Sequence, residues 1–539
     1  MSHTSSIFSR TQIELPNRSG FDMSHENLGT MTCGTLTPVL VDELLPNDTI
    51  SLGANFQVQL PPMATDFYGR LDVVLEAFFV PCRLLWGGWK SFMTHPTANP
   101  IYPANTPAAG RSKFMPLFSS NDFQRGSLMD YLGFKGQVYD DNAGGLIRAA
   151  EVNALPFLAY HRIWDDWYRD SRIQAPLFYS PDSSVPLNDL TGTFPNPSYA
   201  PYVSGGVDSP FIYLATNQFV DGTNLGTLRQ RNWSKDYFTS ASPLPQAGTA
   251  ATIEFDVDDE GHGVFSIATL RSANSLQKWM ERNNIMGYRY ADQIYGQYGT
   301  YPSDAIMDKC LYLGRVSQNV YTRSVFQTSR STTGTSDSRF GNPFKGVGSK
   351  FGSSQCIGEG SLVDNIRVKE HGYLFVLASL VPHAYYSTGV RRYLTRKVVG
   401  DIAFPLLSGM GEQAIYTSEL YPTIPERDTP FGYTDLYAEY KYHDDEVHGL
   451  LVDGESLETF ALQRSFSEAP ELSSDFLQIP TDFLAQVFSV PSNSSGFDCW
   501  YDIFFPYKKV STLPEYSIPT LGDLKNVHSK NVSRGGTRL

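Results

Sequence analysis

LDVVLEAFFVPCRLLWGGWKSF, residues Leu71–Phe92, alternates apolar positions before it turns into a tryptophan-rich segment. Leu71, Val73, Leu75, Ala77 and Phe79 fall on one face. The other face begins polar with Asp72 and Glu76 and becomes apolar at Phe78 and Val80. A period of two reads as a β-strand, half-buried at its start and covered on both faces at its end. Pro81 has no N–H to donate and stops the ladder. Leu85, Trp86, Trp89 and Met93 then recur at helical spacing, with Trp86 and Trp89 as structural anchors of a docking turn. A strand that passes under cover in this way belongs to a large β-core with elaborate connections.

Further strand-like runs lie at Thr35–Val41, Ile50–Leu60, Ile253–Val257, Val264–Ala268, Tyr373–Val381 and Trp500–Phe505. Most are far apart, so the sheets must form by long-range pairing. Helices enter as insertions. Over Val152–Asp170, Tyr160, Ile163, Trp164, Trp167 and Tyr168 form an apolar stripe. Trp164 and Trp167 are its expected core anchors, and the pairs Arg162/Asp166 and Asp165/Arg169 lie on the other side at i,i+4. Ser275–Arg282 repeats the pattern with Leu276, Trp279 and Met280. The polar N-terminus reads as an extended arm over residues 1–31. Residues 179–224 and 327–360 are long, turn-rich stretches and candidate surface insertions.

The chain has 539 residues, 41% hydrophobic, 13% aromatic and only 18% charged. Few charges with many aromatics mark a surface that is largely hidden against neighbours. The formal charge of −14 argues against a protein whose main work is gripping nucleic acid by bulk electrostatics. Five widely spaced cysteines, Cys33, Cys82, Cys310, Cys356 and Cys499, suggest free thiols made in a reducing cytoplasm. No signal peptide is expected in residues 1–20, and no apolar run is long enough to span a bilayer, so no membrane insertion is expected.

Catalytic and ligand motifs end as near misses. His25–Gly29, HENLG, opens like a zinc-protease helix but has Gly29 where the second histidine must stand. Asp256–Gly261, DVDDEG, supplies half of a calcium loop, but Ile267 occupies the position of the closing glutamate. It reads as an acidic hairpin turn, with adventitious calcium as the alternative. His443–His448, HDDEVH, reads as a solvated charge run, with metal ligation as the alternative. GNPFKGVGSK, Gly341–Lys350, has Val347 where a phosphate-loop lysine should follow its second glycine. No catalytic residue, cofactor or metal site is assigned.

The segment Leu71–Phe92 resembles the FFVPxRLLWxxWxxF signature of the major capsid proteins of microviruses, small single-stranded DNA phages, and most resembles the gokushovirus-like branch. Further landmarks agree in order. They are SGFDMSH (Ser19–His25), AYHRIWDDWYRD (Ala159–Asp170), NWSKDYFTSASPLPQ (Asn232–Gln246), EHGY (Glu370–Tyr373), GEQ (Gly411–Gln413), FGYTDLYAEY (Phe431–Tyr440) and PEYSIP (Pro514–Pro519). Gly87-Gly88 departs from the usual polar pair, and the stretch after Gln246 is short where many relatives carry a surface insertion.

The resemblance implies a mainly β chain: an eight-stranded antiparallel jelly roll, one capsid domain over residues 1–539, with large loop and helix insertions. It also implies pentamers that assemble into a T=1 icosahedral shell around circular single-stranded DNA, with a small basic DNA-packaging protein and a host surface receptor as partners. In such a shell the basic tail, residues 525–539, offers Lys525, Lys530, Arg534 and Arg538 as DNA contacts; a frayed, solvated tail is the alternative. The competing reading from composition is a phage-tail or secreted β-sandwich that binds or cuts glycans. A single-stranded DNA-binding protein acting alone is disfavoured by the acidic charge.

Overall fold

The protein is described here by a computed structural model. The structure describes residues 18–63, 67–86, 125–134, 150–177, 225–245, 290–300, 308–326, 350–408, 411–422, 429–488 and 497–515. Short pieces at 89, 93, 117–120, 138–140, 145–147, 211–213, 256–257, 263–264, 271–276, 278–279 and 282 complete it.

Two antiparallel sheets dominate. Their strands are β1 (Ser19–Asp22), β2 (His25–Met31), β3 (Thr37–Leu44), β4 (Thr49–Gln59), β5 (Leu71–Pro81), β6 (Leu311–Asn319), β7 (Tyr321–Phe326), β8 (Lys350–Arg367), β9 (Gly372–Pro382), β10 (Cys499–Phe505) and β11 (Tyr507–Ser511). The four-stranded sheet has the order β6-β5-β9-β3. The seven-stranded sheet has the order β1-β11-β4-β8-β7, and β10 joins β2 to β4. In that sheet β10 and β11 lie end to end along β4, Phe504 opposite Asn55 and Tyr507 opposite Leu52.

Side-chain alternation explains the layering. Leu71, Val73, Leu75, Ala77 and Phe79 of β5, with Leu374, Val376, Ala378 and Leu380 of β9, join the core shared with β4 and β10. The intervening Phe78 and Val80, with Tyr373, Phe375 and Leu377, enter a second core under a helical layer. The four-stranded sheet is therefore covered on both faces, and both of its central strands read as nearly continuous apolar runs. Its edge strand β6 passes very close to β8. A Cβ on Gly314, at the register shift of β6, would lie 2.1 Å from the Leu362 carbonyl oxygen, so this crossing requires glycine.

Several sequence expectations change. β5 is buried along its whole length, Asp72 and Glu76 included. Carboxylates this deep persist because they are paired: Asp72 with Arg70 and His383, Glu76 with Arg231 and the Tyr168 hydroxyl. Residues 19–31 are not a free arm. They are strands β1 and β2, and their backbone groups pair with β11 and β10. Residues 350–360, expected within a surface loop, are the first half of β8, registered against β4 and β7. Their Ser- and Gly-rich composition hid a strand whose partners are supplied by tertiary pairing. Residues 1–17, 327–349 and 516–539, and so Lys525, Lys530, Arg534 and Arg538, lie outside the described residues. So does nearly all of 179–224, of which Phe211–Tyr213 is a strand parallel to Leu117–Ser120. Asp256–Val257 and Gly263–Val264 pair as an antiparallel hairpin.

Candidate functional site

The chain's separated landmark segments meet in two places. The first is beneath the helix α1 (Leu155–Ile163), which continues as a π-helical turn over Trp164–Tyr168. Pro156 at its first turn suits the helix start. The break is a backbone fact: the Arg169 N–H donates to the Trp164 carbonyl five residues back, at 3.0 Å. A wider turn rotates every later side chain away from its α-helical position.

That rotation inverts the expected stripe. Trp164 is buried, its Nε1 donating to the Gln230 carbonyl at 2.8 Å with the Arg229 guanidinium over its ring. Trp167, expected as a core anchor, is 42% exposed. It lies along Phe78 and Tyr312, donates to the Cys310 carbonyl and is covered by the Lys309 ammonium 4.0 Å from its ring. The charged pairs expected on the outer side are inside instead. Arg162 Nε meets Asp166 at 3.0 Å and Arg169 Nε meets Asp165 at 2.7 Å, with all four side chains largely shielded from water. Asp166 also accepts the Cys310 N–H, and Asp165 the Leu177 N–H.

The helix is covered all round. Tyr160 donates to the Leu36 carbonyl and accepts from the Arg229 N–H, while His161 Nδ1 accepts from Arg229 Nε and Nε2 donates to the Leu225 carbonyl. Burial and the neighbouring Arg229 push the His161 pKa well below the ordinary histidine range, so the ring stays neutral. At the helix end, burial opposes ionisation of Asp170, but Arg172 and Lys235 hold its carboxyl well below the usual range.

The tryptophan-rich turn closes the same cluster. The one-turn helix Cys82–Leu85 carries Arg83, whose Nε reaches both Glu370 oxygens at 2.9 and 3.1 Å. Trp86 and Trp89 are buried, and Trp89 meets the His371 ring edge-to-face. Met93, which continues the helical spacing, is exposed. Gly372 lies where a Cβ would strike the Val80 carbonyl oxygen at 2.5 Å. The motifs at 82–89 and 370–373 are thus one contact, and sequence spacing alone could not show it.

The second meeting point is a smaller core around Tyr237, Phe238, Tyr386, Ile415, Phe431 and Phe476. Ser242 and Tyr433 exchange two backbone hydrogen bonds. Gln413 donates to Glu439 at 2.6 Å and accepts from the Tyr437 N–H. Arg464 is buried against the rings of Trp233, Phe476 and Tyr386. All five cysteines are free and buried, and burial pushes their thiols upward, Cys82 and Cys356 to about 12, so none is poised as a nucleophile.

Among the described residues, no group of three or more His, Cys, Asp or Glu could hold a metal ion. His443 and His448 instead flank an ion pair: Arg391 binds Glu446 and reaches His443 Nδ1, while Glu446 meets His448 at 3.0 Å. No helix of the described residues is long and apolar enough to cross a membrane.

A phage capsid-protein family, the F proteins, matches residues 9–263 and 255–521. The chain belongs to this family of microvirus capsid proteins. Capsid protein VP1 of Bdellovibrio phage phiMH2K is 26% identical over 554 residues, covering 96% of this chain and 98% of that protein. Capsid protein VP1 of Chlamydia phage 1 is 25% identical over 608 residues, covering 95% and 97%. Capsid protein VP1 of Spiroplasma virus 4 is 22% identical over 600 residues, covering 96% and 97%. The family places the chain in the virion as a structural protein, and decides against the glycan-binding or glycosidase reading.

A capsid protein's working surface is the one that meets its neighbours, and this chain shows a candidate. Over residues 393–407, Tyr393, Leu394, Val398, Val399, Ile402 and Leu406 are all exposed, Leu406 at 93%. The segment is held in shape by Asp401, whose carboxylate accepts the Lys397 and Val398 N–H groups at 2.7 and 2.9 Å. Nothing in sequence periodicity singled it out, because its turns are short 3-10 pieces at Val399–Asp401 and Pro405–Leu407.

Proposed function

We propose that the chain is the repeating subunit of a T=1 icosahedral shell, built from pentamers, that encloses circular single-stranded DNA. The exposed apolar segment 393–407 carries this reading. An ordered run of large apolar side chains facing water is costly in a monomer and expected where another subunit covers it. The strand pattern supports a jelly roll, because successive strands alternate between the sheets: β3 and β5 in one, β4 in the other, and β9 returning between β3 and β5.

The remaining assignments complete the proposal. Residues 179–224 contribute to the outer surface and to contact with a host receptor. The tail at 525–539 faces the genome, with Lys525, Lys530, Arg534 and Arg538 on phosphates, and a small basic DNA-packaging protein supplies most of the neutralising charge. Expression with its virion partners should give megadalton particles with icosahedral order in electron micrographs. Leu406→Asp should shift the same protein to free subunits or pentamers on sizing columns. A stable monomer from the unaltered chain under those conditions contradicts the reading. Replacing Lys530, Arg534 and Arg538 by Ser should lower DNA retention, more so at high salt. Unchanged DNA content at every salt concentration removes the tail from the genome contact.

A further inference from the structure

Beside the second core is a cavity of about 210 Å³ with both aromatic and charged walls. Rings of Phe238, Tyr386, Tyr440 and Tyr442 line it. Its charged walls hold three arginines, Arg391, Arg392 and Arg396, against four carboxylates, Glu419, Glu439, Asp444 and Glu446. Each arginine already has an acid: Arg391 binds Glu446, Arg392 binds Glu419 at 3.0 Å, and Arg396 binds Glu439 at 3.0 Å. Their charge is therefore committed within the wall, and a phosphate entering here would meet an excess of negative charge.

One carboxylate is left over. Asp444 Oδ1 is shielded from water and has no hydrogen-bond partner. A buried acceptor without a donor costs free energy that a bound donor returns. The surrounding rings present their negative faces, which favour a cation.

The geometry points to this cavity as a binding site for a primary ammonium group, with Asp444 as its counter-ion and the tyrosine and phenylalanine rings as its box. The site is independent of the assembly reading. A divalent metal does not fit, since the described residues offer no cluster of three ligands. The shared chemistry, an alkylammonium, could come from a free diamine or from a lysine side chain of a basic partner.

Titration behaviour follows from the surroundings. Burial, then the charges of Asp236, Glu446 and Glu419, push the Asp444 carboxyl up to about 7, and Arg391 alone among the contributing groups pulls it down. His443, bonded to Arg391, faces the same cavity. Because the folded pKa is raised above 3.8, ionising Asp444 costs stability as pH climbs through 7, and a bound ammonium offsets that cost.

Calorimetry on assembled particles, with putrescine and Nα-acetyl-lysine amide as probes, tests the site. Binding is expected at pH 8 and should be about tenfold weaker at pH 6, as the carboxylate fills with protons. Near pH 7 the observed enthalpy should depend on the buffer, because binding releases a proton. Asp444→Asn should abolish binding, while Glu468→Gln, which removes an exposed acid elsewhere, should leave it unchanged. Putrescine alone binding assigns a free diamine; the lysine derivative alone binding assigns a partner's side chain. Should Asp444→Asn fail to assemble, the pH dependence of the unaltered particle still decides. Neither probe binding at pH 8, affinity independent of pH, or equal loss in Glu468→Gln overturns the proposal.

Discussion

Asp166→Ala should cost about 3–5 kcal/mol and abolish soluble assembly, because it strands the Arg162 guanidinium inside the protein. Arg162 is 1% exposed, and its Nη2 is already committed to the Asp308 carbonyl. Removing Asp166 also leaves the Cys310 N–H without its acceptor. Deleting both charges should hurt less than deleting one. The double variant Arg162→Met, Asp166→Ala should regain part of the loss, since no charge remains buried. Urea unfolding of the two single variants and the double variant measures the coupling. A double variant as unstable as the sum of the singles would show that the pair is not an interacting unit.

The second large effect separates two tryptophans that the sequence placed together. Trp164→Ala removes a buried indole, its bond to the Gln230 carbonyl and its stacking with Arg229, and should cost about 3–5 kcal/mol. Trp167→Ala should cost clearly less, because part of that ring already meets water and its space can refill with solvent. Thermal melting of soluble subunits ranks the two. Equal losses would mean that the face of Trp167 is covered to the same depth as that of Trp164.

The pattern at Leu71–Phe79 was readable because a strand's two faces are set by backbone geometry, and alternation survives whatever partners the strand acquires. The failure at residues 350–360 has the opposite cause. A Ser- and Gly-rich stretch has no burial preference of its own, and its strand state is imposed by β4 on one side and β7 on the other. The helix failed for a third reason. Its residues were counted at 3.6 per turn, whereas the bond from Arg169 N–H to the Trp164 carbonyl widens the turn.

Of the candidate site, the landmark residues were legible one by one, and their ordered agreement was enough to indicate the capsid family. Which of them touch was not. Arg83 and Glu370 are 287 positions apart, and Gln413 and Glu439 are separated by 26. Nothing local links such residues, because each is placed by a different strand or turn of a fold built from long-range pairs. The exposed segment 393–407 and the orphaned oxygen of Asp444 were equally invisible, since exposure and lack of a partner are properties of neighbours.

The sequence by itself determined the strand periodicity of the core, the absence of an assembled catalytic motif and the family, because these depend on residue type, order and spacing. Only the tertiary structure decided which charges are buried, which tryptophan is exposed, which glycine is required and where the apolar surface and the unsatisfied carboxylate lie. Desolvation, pairing and covering are energies of contact between distant segments, and they acquire values only when the chain has folded.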